Sequence, residues 1–370
     1  MQRSSETTAM PTHALSRRRL LGGLLMSGLT PLTLAADESW RMPDEGEPHR
    51  ATWMAFGASE RVWGKRLLRP VREQLAGIAR AIAAFEPVHM LVREEEYELA
   101  ERLCGGKVRL EVLPVDDLWM RDTGAVFVKN AAGRLGGVDF NFNGWGEKQA
   151  YARDAEVASF VAERAGAPRL ATELVLEGGG IEVDGQGTAL ITESCVLNAN
   201  RNPGLSKAAC EAELRRLLGL QKIIWLPGIA GRDITDGHTD FYARFAAPGV
   251  VVAGLDEDPA SYDHAVTRRH LEILRGATDV RGRRLRVAVM KGPEQVRREL
   301  ETPEFAAGYI NFYVCNGAVI APQFGDARAD ANARALLREL FPGRELVQLN
   351  IDAIAAGGGG IHCTTQQQPR

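Results

Sequence analysis

Near its C-terminal end the sequence reads Gly357-Gly358-Gly359-Gly360-Ile361-His362-Cys363-Thr364-Thr365-Gln366-Gln367-Gln368-Pro369. Successive glycines let a backbone take conformations closed to other residues and let a ligand come close, and four of them directly before His-Cys are hard to explain as packing. Neighbouring side chains diverge, so one of His362 and Cys363 faces a given pocket while the other supports it from behind. That opposes metal binding, because a zinc site would want both residues or a repeated ligand pair, and the chain has no C-x-x-C spacing.

Three more turn-rich segments concentrate carboxylates and histidine: Asp117-Leu118-Trp119-Met120-Arg121-Asp122-Thr123-Gly124, Leu176-Glu177-Gly178-Gly179-Gly180 and Asp236-Gly237-His238-Thr239-Asp240. If Gly237–Phe245 is extended, His238 and Asp240 project to one face and can share a site. The candidates are then a cysteine, a histidine and three acids, Asp122, Glu177 and Asp240. The surplus of acids is informative. A cysteine peptidase needs one orienting group and acts on a neutral amide, so extra carboxylates are a burden to it. Two carboxylates facing a thiol suit a flat cation instead, because a guanidinium offers forked N–H donors that paired acids hold rigidly. Its central carbon is a poor electrophile, which calls for positioning, a strong nucleophile and protonation of the departing nitrogen. A thiolate adding to that carbon, with histidine serving the leaving ammonia and then water, yields a urea. Burial beside acids raises the thiol pKa, and the arriving cation and a protonated histidine lower it again.

The rest of the chain bounds this reading. Its 370 residues carry 45 Lys+Arg against 48 Asp+Glu, a net charge of −3 that offers no basic excess for a phosphate backbone, so nucleic acid is excluded as a partner. Hydrophobic residues make up 45% of the chain, enough to build a sizeable core. Ser16-Arg17-Arg18-Arg19-Leu20-Leu21 leads into an apolar run ending at Ala36, which predicts a twin-arginine-type signal peptide over residues 1–36 and a catalytic domain over 37–370. Cleavage there removes four Arg and one Glu, so the mature charge is 41 − 47 = −6. No other stretch can span a membrane, and stable membrane association after cleavage is not expected. Apolar runs such as Val88–Val92, Val108–Leu113, Thr188–Thr192, Lys222–Leu226, Val250–Ala253 and Ala318–Ala321 predict short buried strands. Between them Leu67–Phe85, Ser206–Leu218, Tyr262–Arg275 and Arg328–Phe341 have helical periodicity, with Ser206 as an N-cap. No linker or composition break divides the chain, and no repeat is visible by eye.

Together the segments resemble the agmatine deiminase family, which includes bacterial peptidyl-arginine deiminases and belongs to the guanidino-group-modifying enzymes. The resemblance runs from Met42-Pro43-Asp44-Glu45 and Pro48-His49-Arg50-Ala51-Thr52-Trp53-Met54 through the Trp119, Glu177 and His238 motifs. It also takes in Phe142-Asn143-Gly144-Trp145-Gly146 and Leu197-Asn198-Ala199-Asn200-Arg201-Asn202-Pro203-Gly204, and it ends on the Cys363 motif. It implies an α/β fold, a single-domain five-bladed pentein-like propeller with the site at its centre, and no metal or organic cofactor. Carried over by motif, Cys363 is the nucleophile, His238 the general acid and base, Asp122 and Asp240 the guanidinium-binding carboxylates, and Glu177 the acid pairing with histidine or substrate. Trp119 lines the pocket, and Arg121 is structural because a cation there would repel the substrate. The chain departs from the family pattern at Gly360, where asparagine is usual, and at Phe56-Gly57; both positions are expected to border the substrate's tail. The implied reaction converts agmatine to N-carbamoylputrescine and ammonia in the periplasm or outside the cell. The alternatives are deimination of protein arginine and a non-catalytic polyamine- or guanidine-binding protein. A homo-oligomer is compatible with this reading.

The remaining features carry bland expectations. His49, His89, His264 and His270 have no assignable role. Cys104, Cys195, Cys210 and Cys315 read as buried small hydrophobes, with a Cys195–Cys210 disulfide conceivable after export. Trp40 and Trp63 fit either the core or a pocket lid.

Overall fold

The computed structural model describes residues 39–370, which form one compact unit. The expected signal segment over residues 1–36 lies outside the described residues. Among the described residues no helix is long and apolar enough to cross a membrane.

The strands form five small sheets built on one plan, in which a hairpin of two antiparallel strands is followed by a helix and a third strand parallel to the second. Blade 2 uses Val126–Asn130, Leu135–Asp139 and Arg169–Ala171; blade 3 uses Ile181–Val183, Thr188–Thr192 and Lys222–Leu226. Blade 4 uses Ala243–Ala247, Val250–Leu255 and Arg286–Lys291; blade 5 uses Tyr313–Cys315, Ala318–Gln323 and Glu345–Asn350. Blade 1 joins the two ends of the unit, because Gln366–Pro369 pairs antiparallel with His49–Phe56, which is followed by Val88–Val92 and Val108–Val112. The fold is thus the expected five-bladed α/β propeller. The repeat escapes inspection of the sequence because each blade solves the same packing problem with different side chains, and blades 1 and 2 each carry a fourth strand.

Parallel neighbours need a crossover, and the helices supply it with sharp ends. Lys207–Leu218 starts where Ser206 Oγ accepts from Ala209 N at 3.2 Å, as the sequence suggested. It stops at Gly219, whose φ of 67° is left-handed and whose absent Cβ would lie 2.2 Å from Trp40 O, so glycine serves both the cap and the close approach. Ala327–Leu340 begins on Asp326, which accepts from Arg328 N and Ala329 N.

This plan also positions the site. The first strand of every blade is preceded by a short turn: Met120–Thr123 before blade 2, Gly178–Gly180 before blade 3, Thr239–Phe241 before blade 4, Tyr309 and Ile310 just ahead of Asn311 before blade 5, and His362–Thr364 closing onto blade 1. Three side chains and one backbone N–H from these turns and strands converge at the hub on one buried carboxylate, Glu45. The expected extended run Gly237–Phe245 is not observed. Gly237 has φ 87°, residues 239–241 form a 3₁₀ turn, and the strand starts at Ala243. Turn chemistry wins there, since Asp233 Oδ1 captures Gly237 N and Thr235 Oγ1 captures His238 N.

Candidate active site

The five expected residues converge, and every one is buried. Cys363 is 6% exposed and Asp122 7%, so the site is almost closed to solvent. The Cys363 thiol donates to Asp240 Oδ2 at 3.6 Å. His238 Nε2 lies 3.2 Å from Glu177 Oε2, and its Nδ1 lies 3.7 Å from Asp122 Oδ1. Asp122 is fixed by two donors, Gly179 N at 3.1 Å and Trp145 Nε1 at 2.9 Å. A Cβ on Gly179 would sit 2.5 Å from His238 Nδ1 and 2.8 Å from Asp122 Oδ1, so glycine is required by close approach.

The environment divides the ionisable groups. Burial, with Asp240 and Asp122, pushes the Cys363 thiol well above the ordinary cysteine range, against the opposing N–H groups of Gly360 and Asn311. Burial also opposes the His238 proton, but Asp122, Cys195 and Glu177 outweigh it and hold the imidazole well above its usual range. Burial raises Asp122 to about 6, with His238 pulling down and Asp240 and Glu177 pushing up. Asp240 is drawn below the usual carboxylate range because His362, His238 and Arg244 overcome its burial. The resting arrangement is therefore a protonated histidine and a neutral thiol among acids, with two buried polar atoms, Asp240 Oδ1 and His238 Nδ1, left without hydrogen-bond partners.

His362 and Cys363 do not simply diverge: both reach Asp240 Oδ2, the imidazole Nδ1 at 2.7 Å and the sulfur at 3.6 Å, and the imidazole's other nitrogen turns to Glu45 in the hub. Arg121 is structural, as expected: it donates to Gln367 Oε1 at 2.7 Å and Glu45 Oε2 at 3.0 Å. Trp119 and Trp63 each donate an indole N–H to one oxygen of Asp117, at 3.1 and 2.8 Å. Part of the glycine run does have a packing reason, contrary to expectation. A Cβ at Gly357 would lie 2.3 Å from the Trp63 ring, and one at Gly359 would lie 2.1 Å from the Trp119 ring. Of the positions expected near the substrate's tail, Gly57 abuts the Asp117 backbone, with its absent Cβ 1.9 Å from Asp117 O. Gly360 abuts Asn311, with Asn311 Oδ1 2.4 Å from where its Cβ would be.

Sequence reasoning assigned no role to several residues that hold the site. Asn311 clamps the cysteine from both sides, donating from Nδ2 to the sulfur and accepting from Cys363 N, each at 3.2 Å. Arg201 is fully buried, and its Nε donates to both Glu177 oxygens, at 2.8 and 3.0 Å. Trp145 reaches Asp122 from a left-handed backbone at φ 58°. The motifs around Trp145 and Arg201 were visible signals, whereas Asn311 had none. Cys195 is more than a small hydrophobe: burial raises its thiol to about 11, and it donates to Glu177 Oε2 at 3.4 Å. Glu177, Cys195 and His238 bring possible metal-ligand atoms within 4.8 Å of one another. A protonated thiol and a carboxylate already bound to guanidinium fit hydrogen-bonded support of the histidine better than ligation. All five cysteines are free, so Cys195 and Cys210 form no disulfide. Of the unassigned histidines, buried His49 bonds to Glu86 and part-buried His89 to Glu111, while buried His270 accepts from Gly228 N on Nε2 and leaves Nδ1 without a partner.

The sequence pattern of the Porphyromonas-type peptidyl-arginine deiminases matches residues 41–369. Agmatine deiminase of Pseudomonas aeruginosa is 38% identical over 362 residues, covering 92% of this chain and 98% of that one. Agmatine deiminase of Pseudomonas fluorescens is 38% identical over 358 residues, covering 90% and 96%. The solved structure of agmatine deiminase of Enterococcus faecalis superposes with a TM-score of 0.84 at 33% identity, covering 90% of this chain and 96% of that one. With its pattern, its relatives and its blades in agreement, the chain belongs to the agmatine deiminase family, the Porphyromonas-type peptidyl-arginine deiminases.

Proposed function

We propose that this enzyme hydrolyses agmatine to N-carbamoylputrescine and ammonia, with Cys363 as nucleophile, His238 as general acid and base, and Asp122 and Asp240 as the carboxylates that hold the guanidinium. The observation that carries the reading is the unpartnered Asp240 Oδ1, buried beside the thiol and a second acid. A buried acceptor without a partner is costly, and the planar N–H donors of a guanidinium relieve that cost.

Chemistry follows from the charges. The arriving cation lowers the Cys363 pKa, the thiol gives up its proton to solvent, and the thiolate forms a C–S bond to the central carbon. The bond to one terminal nitrogen breaks as the His238 imidazolium delivers its proton, and ammonia leaves. A positively charged thiouronium remains on the sulfur. Neutral His238 then takes one proton from water as the water oxygen adds to the same carbon; the C–S bond breaks, and the remaining hydroxyl proton goes to the departing sulfur, restoring the thiol and the imidazolium. The product urea is uncharged, so the carboxylates lose their hold on it. Glu177, itself locked by Arg201, keeps the imidazole oriented and favours its protonated form.

Ammonia release with agmatine, free arginine and an arginine peptide, tested side by side, decides among the readings. Turnover of agmatine far above the other two is expected, since a sulfur only 6% exposed suits a small flexible substrate. Turnover of the peptide alone makes the enzyme a peptidyl-arginine deiminase, and binding of agmatine without any turnover makes it a binding protein. Export is part of the proposal and is supported by Ser16-Arg17-Arg18-Arg19-Leu20-Leu21 and the apolar run after it. Replacing Arg17 and Arg18 by lysine should strand the activity in the cytoplasmic fraction, and unchanged periplasmic activity contradicts it.

A further inference from the structure

Next to the reacting groups, a second cluster of buried charges fills the hub, centred on Glu45. This residue belongs to the segment ahead of His49–Phe56, the second strand of blade 1, yet its carboxylate reaches four blades. Oε1 accepts from Arg244 Nη2 and Val314 N, both at 2.8 Å, and Oε2 accepts from Arg121 Nη2 at 3.0 Å and lies 2.8 Å from His362 Nε2. Its own carbonyl is held by His49 Nε2 at 2.8 Å, and His49 is held in turn by Glu86 at 3.0 Å. Glu45 is therefore fixed through both side chain and backbone. Arg244, His362 and Arg121 together keep its carboxylate ionised, overcoming its burial.

His362 stands between this carboxylate and the site. Its Nδ1 is 2.7 Å from Asp240 Oδ2, the oxygen that also receives the Cys363 thiol. A carboxylate only accepts, so an imidazole flanked by two ionised carboxylates needs an N–H on both nitrogens. Burial and the cations Arg121 and Arg244 draw the His362 pKa below the ordinary imidazole range, against Glu45 and Asp240; what argues for the second proton is the geometry, two carboxylate oxygens at 2.7 and 2.8 Å with no donor of their own. The other charged groups facing this imidazole act at one remove: Arg121 Nε lies 3.4 Å from its carbonyl oxygen, and Glu182 is bound to Arg244 at 2.7 Å.

We propose that Glu45 is a positioning residue for deimination: acting through His362, it keeps Asp240 ionised, with Oδ2 engaged and Oδ1 free to take the substrate's guanidinium. The inference rests on Asp240 being a substrate carboxylate. It assigns a role in the reaction to a residue that touches neither substrate nor sulfur. The imidazolium held by Glu45 is the counter-charge that lets Asp240 sit ionised beside a nucleophile that must itself become an anion.

Glu45→Gln keeps the shape and removes the charge, so His362 gives up one proton and Asp240 loses the cation at its side. Asp122, at about 6, sets the upper acid limb of kcat/KM for agmatine; a lower limb set by Asp240 should then move up by about one pH unit, with KM near pH 4 rising about tenfold and kcat near pH 9 within about threefold of wild type. His362→Asn leaves the Glu45 ion pairs with Arg121 and Arg244 in place and cuts the link. It should move the same limb at least as far, and the double variant should move it no further. If Glu45→Gln does not fold, His362→Asn carries the test alone. A loss of activity uniform across pH, with the limb unmoved, overturns the proposal. Ring ¹⁵N shifts of His362 give a readout independent of turnover: two protonated nitrogens at neutral pH are expected in wild type and one in Glu45→Gln. One bare nitrogen in wild type overturns the proposal, whereas wild type that fails to turn over agmatine while showing the doubly protonated ring overturns only the substrate reading.

Discussion

Two clusters of buried charge share the centre of the propeller, and they differ in how fully they are satisfied. In the hub, Glu45, Arg121 and Arg244 leave no side-chain polar atom without a partner. In the site, Asp240 Oδ1 and His238 Nδ1 have none, and Asp122 is held at about 6 by burial beside other acids. The hub supplies rigidity, because every charge there has an opposite charge or a backbone group against it. The site stores the opposite condition, a surplus of negative charge and open hydrogen-bonding capacity that only a cation of the right shape relieves. Breaking the first cluster should cost stability, and breaking the second should cost activity.

The largest separation is expected from Cys363→Ser, which should lower kcat by more than about a thousandfold while leaving Tm nearly unchanged, because a hydroxyl is a far poorer nucleophile at this carbon. Activity and melting curves of the purified variant check both halves. Arg244→Met should do the reverse in kind: leaving Glu45 and Glu182 buried without their shared cation should cost about 3–5 kcal/mol of stability by denaturant unfolding. A hub that tolerates this change without loss removes the contrast. Gly179→Ala should cut kcat/KM by about a hundredfold at near-native stability, since the new methyl group displaces His238 Nδ1 and Asp122 Oδ1 rather than core side chains.

The smallest effect sharpens the contrast through pH. Asp122 has a folded pKa of about 6 against an ordinary 3.8, so it binds its proton more tightly in the folded state. Its contribution to stability is full below about 4 and is lost as pH rises through 6. The difference in Tm between Asp122→Asn and wild type should therefore move in favour of the variant between pH 4 and 6 and then level off. Substrate capture by wild type, which needs the carboxylate ionised, should rise over the same window. A Tm difference independent of pH counts against this assignment.

The chemistry of the site was largely legible in the sequence because its residue types are unusual for loops: a cysteine, a histidine and three acids in glycine-rich turns. Helix caps such as Ser206 and the strands from Val88 to Val92 and from Thr188 to Thr192 were legible for the same local reasons. The turn at residues 239–241 was not, because Asp233 and Thr235 redirect a stretch that alternates like a strand. Asn311 was invisible, since an asparagine between Ile310 and Phe312 carries no pattern until the fold brings it across 52 residues to Cys363. Glu45 was quoted within a motif but given no role, because its partners belong to four blades that no local window contains.

The amino-acid sequence by itself determined which chemistry this chain can perform, through the kinds of side chain it carries and the turns that display them, since reactivity and turn preference are local properties. Only the tertiary structure decided which charges are satisfied and which stand open. That depends on burial and on distances between residues as far apart as Glu45 and His362, which are set when the last strand, Gln366–Pro369, closes the ring against His49–Phe56.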